Sequence, residues 1–149
     1  MEQLYSILGK VTITDLLQIL EAMGTQDTAT VLKVLRANYK NGLQAIDILN
    51  SITDLFRNLF YFKYLPEDEN FTSLSDSEKE LIKNCNDIIS AKDLSRILDM
   101  LDEINQSIKT SPSQELKLEL FLVKLIKPQL ATDIKSCLLY TSPSPRDDL

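Results

Sequence analysis

A continuous apolar stripe between Leu43 and Leu65 constrains the fold more than any other feature of the chain. Its residues recur at alternating spacings of three and four, the period of an α-helix that buries one face: Ala45, Ile48, Ile52, Leu55, Leu59 and Phe62. Asp47, Asp54 and Arg57 confine solvent to the opposite side. The pattern predicts a long helix at the centre of the packing. Its aromatic residues are expected to be core rather than part of a ligand site: Phe56, Phe60, Tyr61, Phe62 and Tyr64.

Start signals for further helices recur along the chain. Capping boxes, in which a side chain binds the backbone amide three residues later, are indicated in three places: Thr12-x-x-Asp15, Ser75-x-x-Glu78 and Ser90-x-x-Asp93. Asp27 or Thr28 is expected to cap another helix, which Asn41-Gly42 ends. Ser111, followed by a proline and then by Gln114, predicts the start of the last helix.

The composition agrees with helices joined by few turns. Only 3 glycines and 5 prolines are present, too few for the many turns of an all-β sandwich or barrel. Residues 66–74 form the one obvious loop, and we expect its carboxylates at Glu67, Asp68 and Glu69 to be solvated rather than to hold a metal ion. The predicted fold class is all-α, a compact bundle of about five to six helices.

The last predicted helix, which runs to about Ile126, is apolar around most of its circumference. A helix of this kind must be buried or lie against a partner. Two stripes run along opposite sides of it, and we expect one to be core and the other to be an interface: Leu118, Leu122 and Leu125 in one, and Leu116, Leu120 and Val123 in the other. Leu118, Leu122 and Leu125 are the candidate interface residues.

The sequence lacks the residue patterns of common catalytic sites. There is no His, which removes Ser-His-Asp and Cys-His catalysis and His metal ligands. A phosphate-binding loop around Lys10 is excluded because Leu4 and Val11 stand where it needs Gly and Ser or Thr. Cys85 and Cys137 lie far apart, and Cys85 is expected to be a core thiol. We predict no catalytic, cofactor-binding or metal-binding residue, so an enzyme is the least favoured function class.

The charge balance argues against a nucleic-acid ligand. The chain carries 16 Lys and Arg against 22 Asp and Glu, a net charge of −6, whereas a free-standing nucleic-acid binder is expected to be positive. No apolar run approaches the roughly 18 residues of a membrane span, and the N-terminus lacks the features of a signal peptide. We predict a cytoplasmic protein that binds no nucleic acid, membrane or small molecule directly.

Residues 137–149 break from this helical pattern. From Cys137 to Asp147 they closely resemble the translation of a transposase adapter used in sequencing libraries. We interpret residues 137–149 as an adapter-derived tail, and the alternative is a native Ser/Pro-rich disordered tail. On the adapter interpretation we expect that deleting the tail leaves the free energy of unfolding unchanged within about 0.5 kcal/mol.

Several segments together resemble a known family. They are residues 4–9 (Leu-Tyr-Ser-Ile-Leu-Gly), the segment 24–42 that ends in glycine, residues 48–63 with an internal Leu-Phe-Arg-Asn-Leu-Phe, residues 99–105 (Asp-Met-Leu-Asp-Glu-Ile-Asn) and the leucine-rich 111–125. In this order they resemble the domain that follows the AAA+ ATPase module in the gamma/tau subunit of bacterial DNA polymerase III. Gln114-Glu115 departs from the Pro-Arg usual in that family.

The resemblance implies a helical collar domain through which clamp-loader subunits associate into a ring that carries ATPase modules and opens the sliding clamp. The expected organisation is a junction after a missing ATPase module at 1–10, the collar-like domain at 11–127, a truncated linker at 128–136 and the tail. The chain would then be a fragment of a DNA polymerase holoenzyme component, without catalytic residues of its own. Its partners would be other clamp-loader subunits, in homo- and hetero-oligomers. The alternative function is an unrelated soluble helical adaptor.

Overall fold

The computed structural model describes residues 10–125 and 128–141, and most of them are helical. The helices follow one another in this order: α1 (Ile13–Gly24), α2 (Thr28–Lys40), α3 (Ala45–Tyr64), the four-residue α4 (Glu69–Thr72), α5 (Asp76–Ile88), α6 (Ala91–Ser107), α7 (Gln114–Leu125) and α8 (Pro128–Thr141). A 3₁₀ turn at Ile108–Thr110 lies between α6 and α7. The predicted all-α class is confirmed, although α8 is a helix that the sequence pattern did not predict.

Helices α1, α2, α5 and α6 begin where the capping signals place them. The amide of Asp15 donates a hydrogen bond of 3.1 Å to Thr12 Oγ1 at the start of α1. At the start of α2, the amide and the hydroxyl of Thr30 donate to the Asp27 carboxylate at 3.1 and 2.6 Å. These hydrogen bonds, the one from the hydroxyl first, lower the pKa of Asp27. Helices α5 and α6 start in the same way, with Ser75 as one of the capping residues.

The α3 helix lies at the centre of the bundle, as its stripe predicts, and contacts α4, α5, α6 and α7. Its buried apolar residues include most of the predicted stripe and two neighbours beside it: Ala45, Ile48, Leu49, Ile52, Leu55, Phe56 and Leu59. The buried Thr53 hydroxyl donates to the Leu49 carbonyl at 2.8 Å and accepts from Asn105 Nδ2 at 3.0 Å. This polar contact fixes the middle of α3 against the end of α6.

The α8 helix packs between α1 and α5. Ile134 and Cys137 on α8 are buried, and Leu138 is partly buried against the core. A Cβ on Gly24, at the end of α1, would lie 3.1 Å from the backbone nitrogen of Lys135, so the glycine permits the close approach of the two helices.

Residues 128–136, expected to be a truncated linker, form the first part of α8, and residues 137–141 of the predicted tail continue the same helix. Pro128 is the first residue of α8, where its fixed φ and missing N–H are tolerated, instead of marking the end of helical structure. The helix then continues past Cys137 to Thr141. Residues 142–149 of the tail lie outside the described residues, as do Ile126, Lys127 and residues 1–9 of the predicted junction at 1–10.

Two local predictions need correction. Within the loop at 66–74, Phe71 is buried on α4, with its ring centroid 4.5 Å from that of Phe62, so only part of this segment is a solvated loop. At the start of α7, the Leu116 amide donates to Ser113 Oγ at 3.3 Å. Ser113 therefore takes the capping role expected of Ser111, whose hydroxyl donates to the Ser113 carbonyl.

Candidate subunit interface

One of the two apolar stripes of α7 is buried in the structure, and the other is exposed. Leu118 and Leu122 are 0% exposed and Leu125 is 1% exposed, within the core that α7 shares with α3, α6 and the 3₁₀ turn. The other stripe faces outward, and its residues remain 54%, 49% and 41% exposed: Leu116, Leu120 and Val123.

The stripe predicted to be the interface is therefore the buried one, and the stripe predicted to be core is the exposed one. Leu118, Leu122 and Leu125, the predicted interface candidates, are already covered by the chain's own helices and cannot reach a partner without unfolding. The sequence could not show which stripe is buried, because both stripes consist of aliphatic side chains at helical spacing. The exposed stripe, defined as Leu116, Leu120 and Val123, is the candidate interface that the structure leaves open.

A groove of about 220 Å³ lies between α6 and α7 beside the exposed stripe. Its lining combines apolar and charged side chains from both helices, among them Met100, Glu103, Ser107, Lys117, Leu120 and Lys124. Leu120 belongs to both features, so the groove and the exposed stripe form one continuous surface.

Charges of opposite sign flank the exposed stripe. At about 100° per residue, Lys117 and Lys124 fall on one side of the stripe, toward the groove, and Glu115 and Glu119 fall on the other. Tyr39 of α2 lies near the two glutamates. Burial first, and then the charges of Glu119 and Glu115, raise the pKa of the Tyr39 phenol. Its buried hydroxyl has no hydrogen-bond partner among the described residues.

A second exposed apolar surface lies at the C-terminal end of α3. Phe60, Tyr61 and Tyr64 are 39%, 37% and 61% exposed, and Leu65 is 57% exposed. The Phe60 ring centroid lies 5.6 Å from that of Tyr61 and 5.3 Å from that of Tyr64. We call these four residues the aromatic end of α3.

The prediction that all five aromatic residues of α3 are core is therefore wrong for three of them. Phe56 is buried and Phe62 packs against the core, whereas Phe60, Tyr61 and Tyr64 face outward. The helical period contained the signal for two. Tyr61 and Tyr64 follow Arg57 by four and seven residues, which places them on its solvent face.

The two cysteines of the chain lie beside each other in the core. Cys85 and Cys137 are both buried, and a hydrogen bond between the two side chains, followed by burial, raises the pKa of the Cys85 thiol far above its ordinary range. Cys85 is thus the core thiol that the sequence predicts. No three carboxylate or thiol residues described in the structure group together as metal ligands. No described helix is long and apolar enough to cross a membrane.

The comparisons with known proteins return one family. The model of the family described as DNA polymerase III subunits gamma and tau domain III matches residues 1–137. The match spans α1 to α7 and most of α8. Neither a curated protein nor a solved structure matches the chain.

Proposed function

Because the chain belongs to the family of DNA polymerase III subunits gamma and tau domain III, we propose that it is a subunit-association domain that assembles a clamp loader for DNA replication. Membership replaces the alternative of an unrelated adaptor. The proposal places the chain in the bacterial cytoplasm and gives it other clamp-loader subunits as partners. It assigns no direct contact with nucleic acid, membrane or a small molecule to this domain.

The exposed stripe on α7 is the observation that carries the proposal. Three large apolar side chains lie together on about two turns of one helix and remain 41% to 54% exposed: Leu116, Leu120 and Val123. Single exposed apolar residues are ordinary on a protein surface, but a contiguous group with a charged border is typical of an interaction site. A partner that covers this stripe would remove it from water. Full burial of an exposed leucine contributes about 1.5–3 kcal/mol, and because these side chains are already about half buried, each would contribute about half of that.

A domain of this kind acts by holding other modules. When catalytic modules are joined to domains that associate, the linkage raises the effective concentration of each module near its neighbour. Their conformational changes can then be coupled through contacts between modules rather than through this domain. The buried core around α3 and the exposed stripe on α7 suit such a holding role.

The direct test is to measure binding to the other subunits of the same clamp loader by sedimentation and by calorimetry. We expect Leu120→Glu to weaken binding at least about tenfold, because a charge would be placed within an apolar contact. Leu139→Glu is the matched control, since Leu139 is a leucine of similar exposure, 42% against 49%, but lies on α8.

Both variants should keep the helical circular dichroism of the unchanged chain, because both positions are exposed. Equal binding by Leu120→Glu and the unchanged chain would contradict the proposal that α7 assembles the complex.

A further inference from the structure

We infer that Cys85 and Cys137 form a redox-sensitive crosslink, in which two-electron oxidation joins their sulfurs in a disulfide that fixes α8 to α5. The inference is independent of the proposed function, because neither cysteine belongs to the exposed stripe or lines the groove beside it. It concerns the folded chain and does not depend on the origin of residues 137–149.

The two cysteines come from helices that pack against each other. Cys85 follows Leu81 by four residues on the buried face of α5, and Cys137 follows Ile134 by three on the buried face of α8. Their side chains are hydrogen-bonded to each other, although the two residues are about 50 positions apart in the sequence. The packing of α8 on α5 therefore brings the two sulfurs together.

Both cysteines line a small cavity of about 10 Å³ in the core. Its other lining residues are apolar, among them Leu20, Phe56 and Leu138. A disulfide bond holds its two sulfurs about 2.0 Å apart, closer than two hydrogen-bonded thiols lie. The cavity offers the two side chains space for the rotation that this approach requires.

The surroundings of the pair favour a crosslink over a metal site. A structural zinc ion takes four Cys or His ligands, whereas this chain has no His and contains only these two cysteines. No carboxylate is among the described residues that line the cavity. A disulfide needs only the two thiols, and no third cysteine competes for either of them.

The oxidant that balances the reaction is a peroxide, with hydrogen peroxide as the simplest case. One thiolate attacks the peroxide, so that an S–O bond forms, the O–O bond breaks, and the leaving hydroxide takes up the proton that the thiol released. The second thiol then attacks the sulfenic sulfur, so that the S–S bond forms and the S–O bond breaks with loss of water. The two sulfurs together lose two electrons, and the peroxide is reduced to two water molecules.

The first oxidation step requires α8 to open. Both thiols are buried, and the hydrogen bond to Cys137, followed by burial, keeps the pKa of Cys85 far above its ordinary range, so its reactive thiolate is scarce while the helices are packed. When α8 moves away from α5, a thiol reaches solvent and is oxidised. When α8 packs again, the second thiol meets the sulfenic acid and the bond closes. Oxidation thus locks a helix that the reduced chain can release.

Oxidation of the full chain with hydrogen peroxide tests the inference. Mass spectrometry should detect a monomer that has lost about 2 Da, and thiol labelling in denaturant should find no free thiol. Because the bond closes a loop of about 50 residues, the midpoint of thermal unfolding should rise by about 10 °C. A dithiol reductant should restore the original mass and midpoint.

Hydrogen exchange locates the effect within the molecule. In the oxidised chain the amides of α8 should exchange at least about tenfold more slowly than in the reduced chain, because the crosslink prevents α8 from opening. Cys85→Ala and Cys137→Ala are the matched controls, since each keeps one buried thiol. After the same peroxide treatment, neither variant should gain in midpoint or in protection of α8. If a variant does not fold, the reduced unchanged chain is the reference.

Three results would overturn the inference. Two free thiols after the treatment, or a separate sulfinic acid on each cysteine, would show that the two sulfurs do not meet. A crosslinked dimer in place of the crosslinked monomer would show that the thiols react only between copies. A crosslinked monomer with an unchanged or lower midpoint would show that the bond does not form within the native packing of α8 on α5. None of these results bears on the proposed function, which is tested by binding at Leu120.

Discussion

The α3 helix and the C-terminal pair α7 and α8 are all rich in apolar residues, yet the sequence constrains their packing very differently. In α3, polar residues such as Asp47 and Arg57 lie opposite the apolar stripe and leave one way to bury it. In α7, leucines occur on both sides of the helix, so the sequence does not indicate which side is buried. The sequence pattern does not predict α8, because its first residue is Pro128 and a proline commonly follows the end of a helix. The contrast teaches that polar residues, more than apolar ones, determine which face of a helix is buried.

The largest expected effect sharpens the contrast within α7. Leu122→Glu places a carboxylate at a 0% exposed position, and we expect a loss of about 4 kcal/mol or more in the free energy of unfolding. Since small domains are stable by about 5–15 kcal/mol, this loss removes a large part of the stability, and the urea midpoint measured by circular dichroism should fall far below that of the unchanged chain.

Leu120→Glu is the matched comparison, with the same substitution two residues away at 49% exposure. Its free energy of unfolding in urea should stay within about 0.5 kcal/mol of the unchanged chain. Equal losses in the two variants would show that α7 buries both stripes, and the distinction between them would be wrong.

Removal of residues 137–149 tests whether α8 packs as the structure shows, and we expect a smaller effect on the free energy of unfolding. Because Cys137 is buried and Leu138 is partly buried, we now expect a loss of about 2 kcal/mol in the free energy of unfolding. The tail interpretation predicts a change within about 0.5 kcal/mol instead.

Urea denaturation of the shortened and the full chain decides between these values. Leu139→Ser in the full chain serves as the control, because Leu139 is 42% exposed and its loss should matter little. An unchanged midpoint after the deletion would show that α8 does not need its last residues for packing.

The smallest expected effect on stability concerns Tyr39, which lies near Glu115 and Glu119 of α7. Its pKa is raised from the ordinary 10.0, so the folded state favours the protonated phenol. The unfolded chain therefore ionises first as the pH rises, and the stability from this group is present below about pH 10 and lost above it.

Tyr39→Phe should reduce this alkaline loss. At pH 7 the same variant should change stability by less than about 1 kcal/mol, because the hydroxyl that it removes is buried without a described partner. Unfolding by urea at pH 7 and at pH 10.5 measures both effects, and an identical pH dependence in the two proteins would contradict the assignment to Tyr39.

Local chemistry in the sequence was sufficient for the helix starts and for the core of α3. Thr12, Asp27 and Ser75 act as N-caps because a side-chain oxygen binds an amide only three residues away, which requires no distant part of the chain. The burial of the stripe through Ile48 and Leu59 was equally predictable from the sequence, because the helical period places its residues on one face of α3. The all-α class follows from these local features alone.

Tertiary structure decided which leucines of α7 are covered and which remain open. Leu118 and Leu116 are chemically identical and two residues apart, but only Leu118 faces the side where α3 and α6 lie. The same holds at the end of α3, where Phe62 meets Phe71 from the following segment and Tyr64 meets no covering element among the described residues. Burial depends on what packs opposite a side chain, and that neighbour comes from a distant part of the chain.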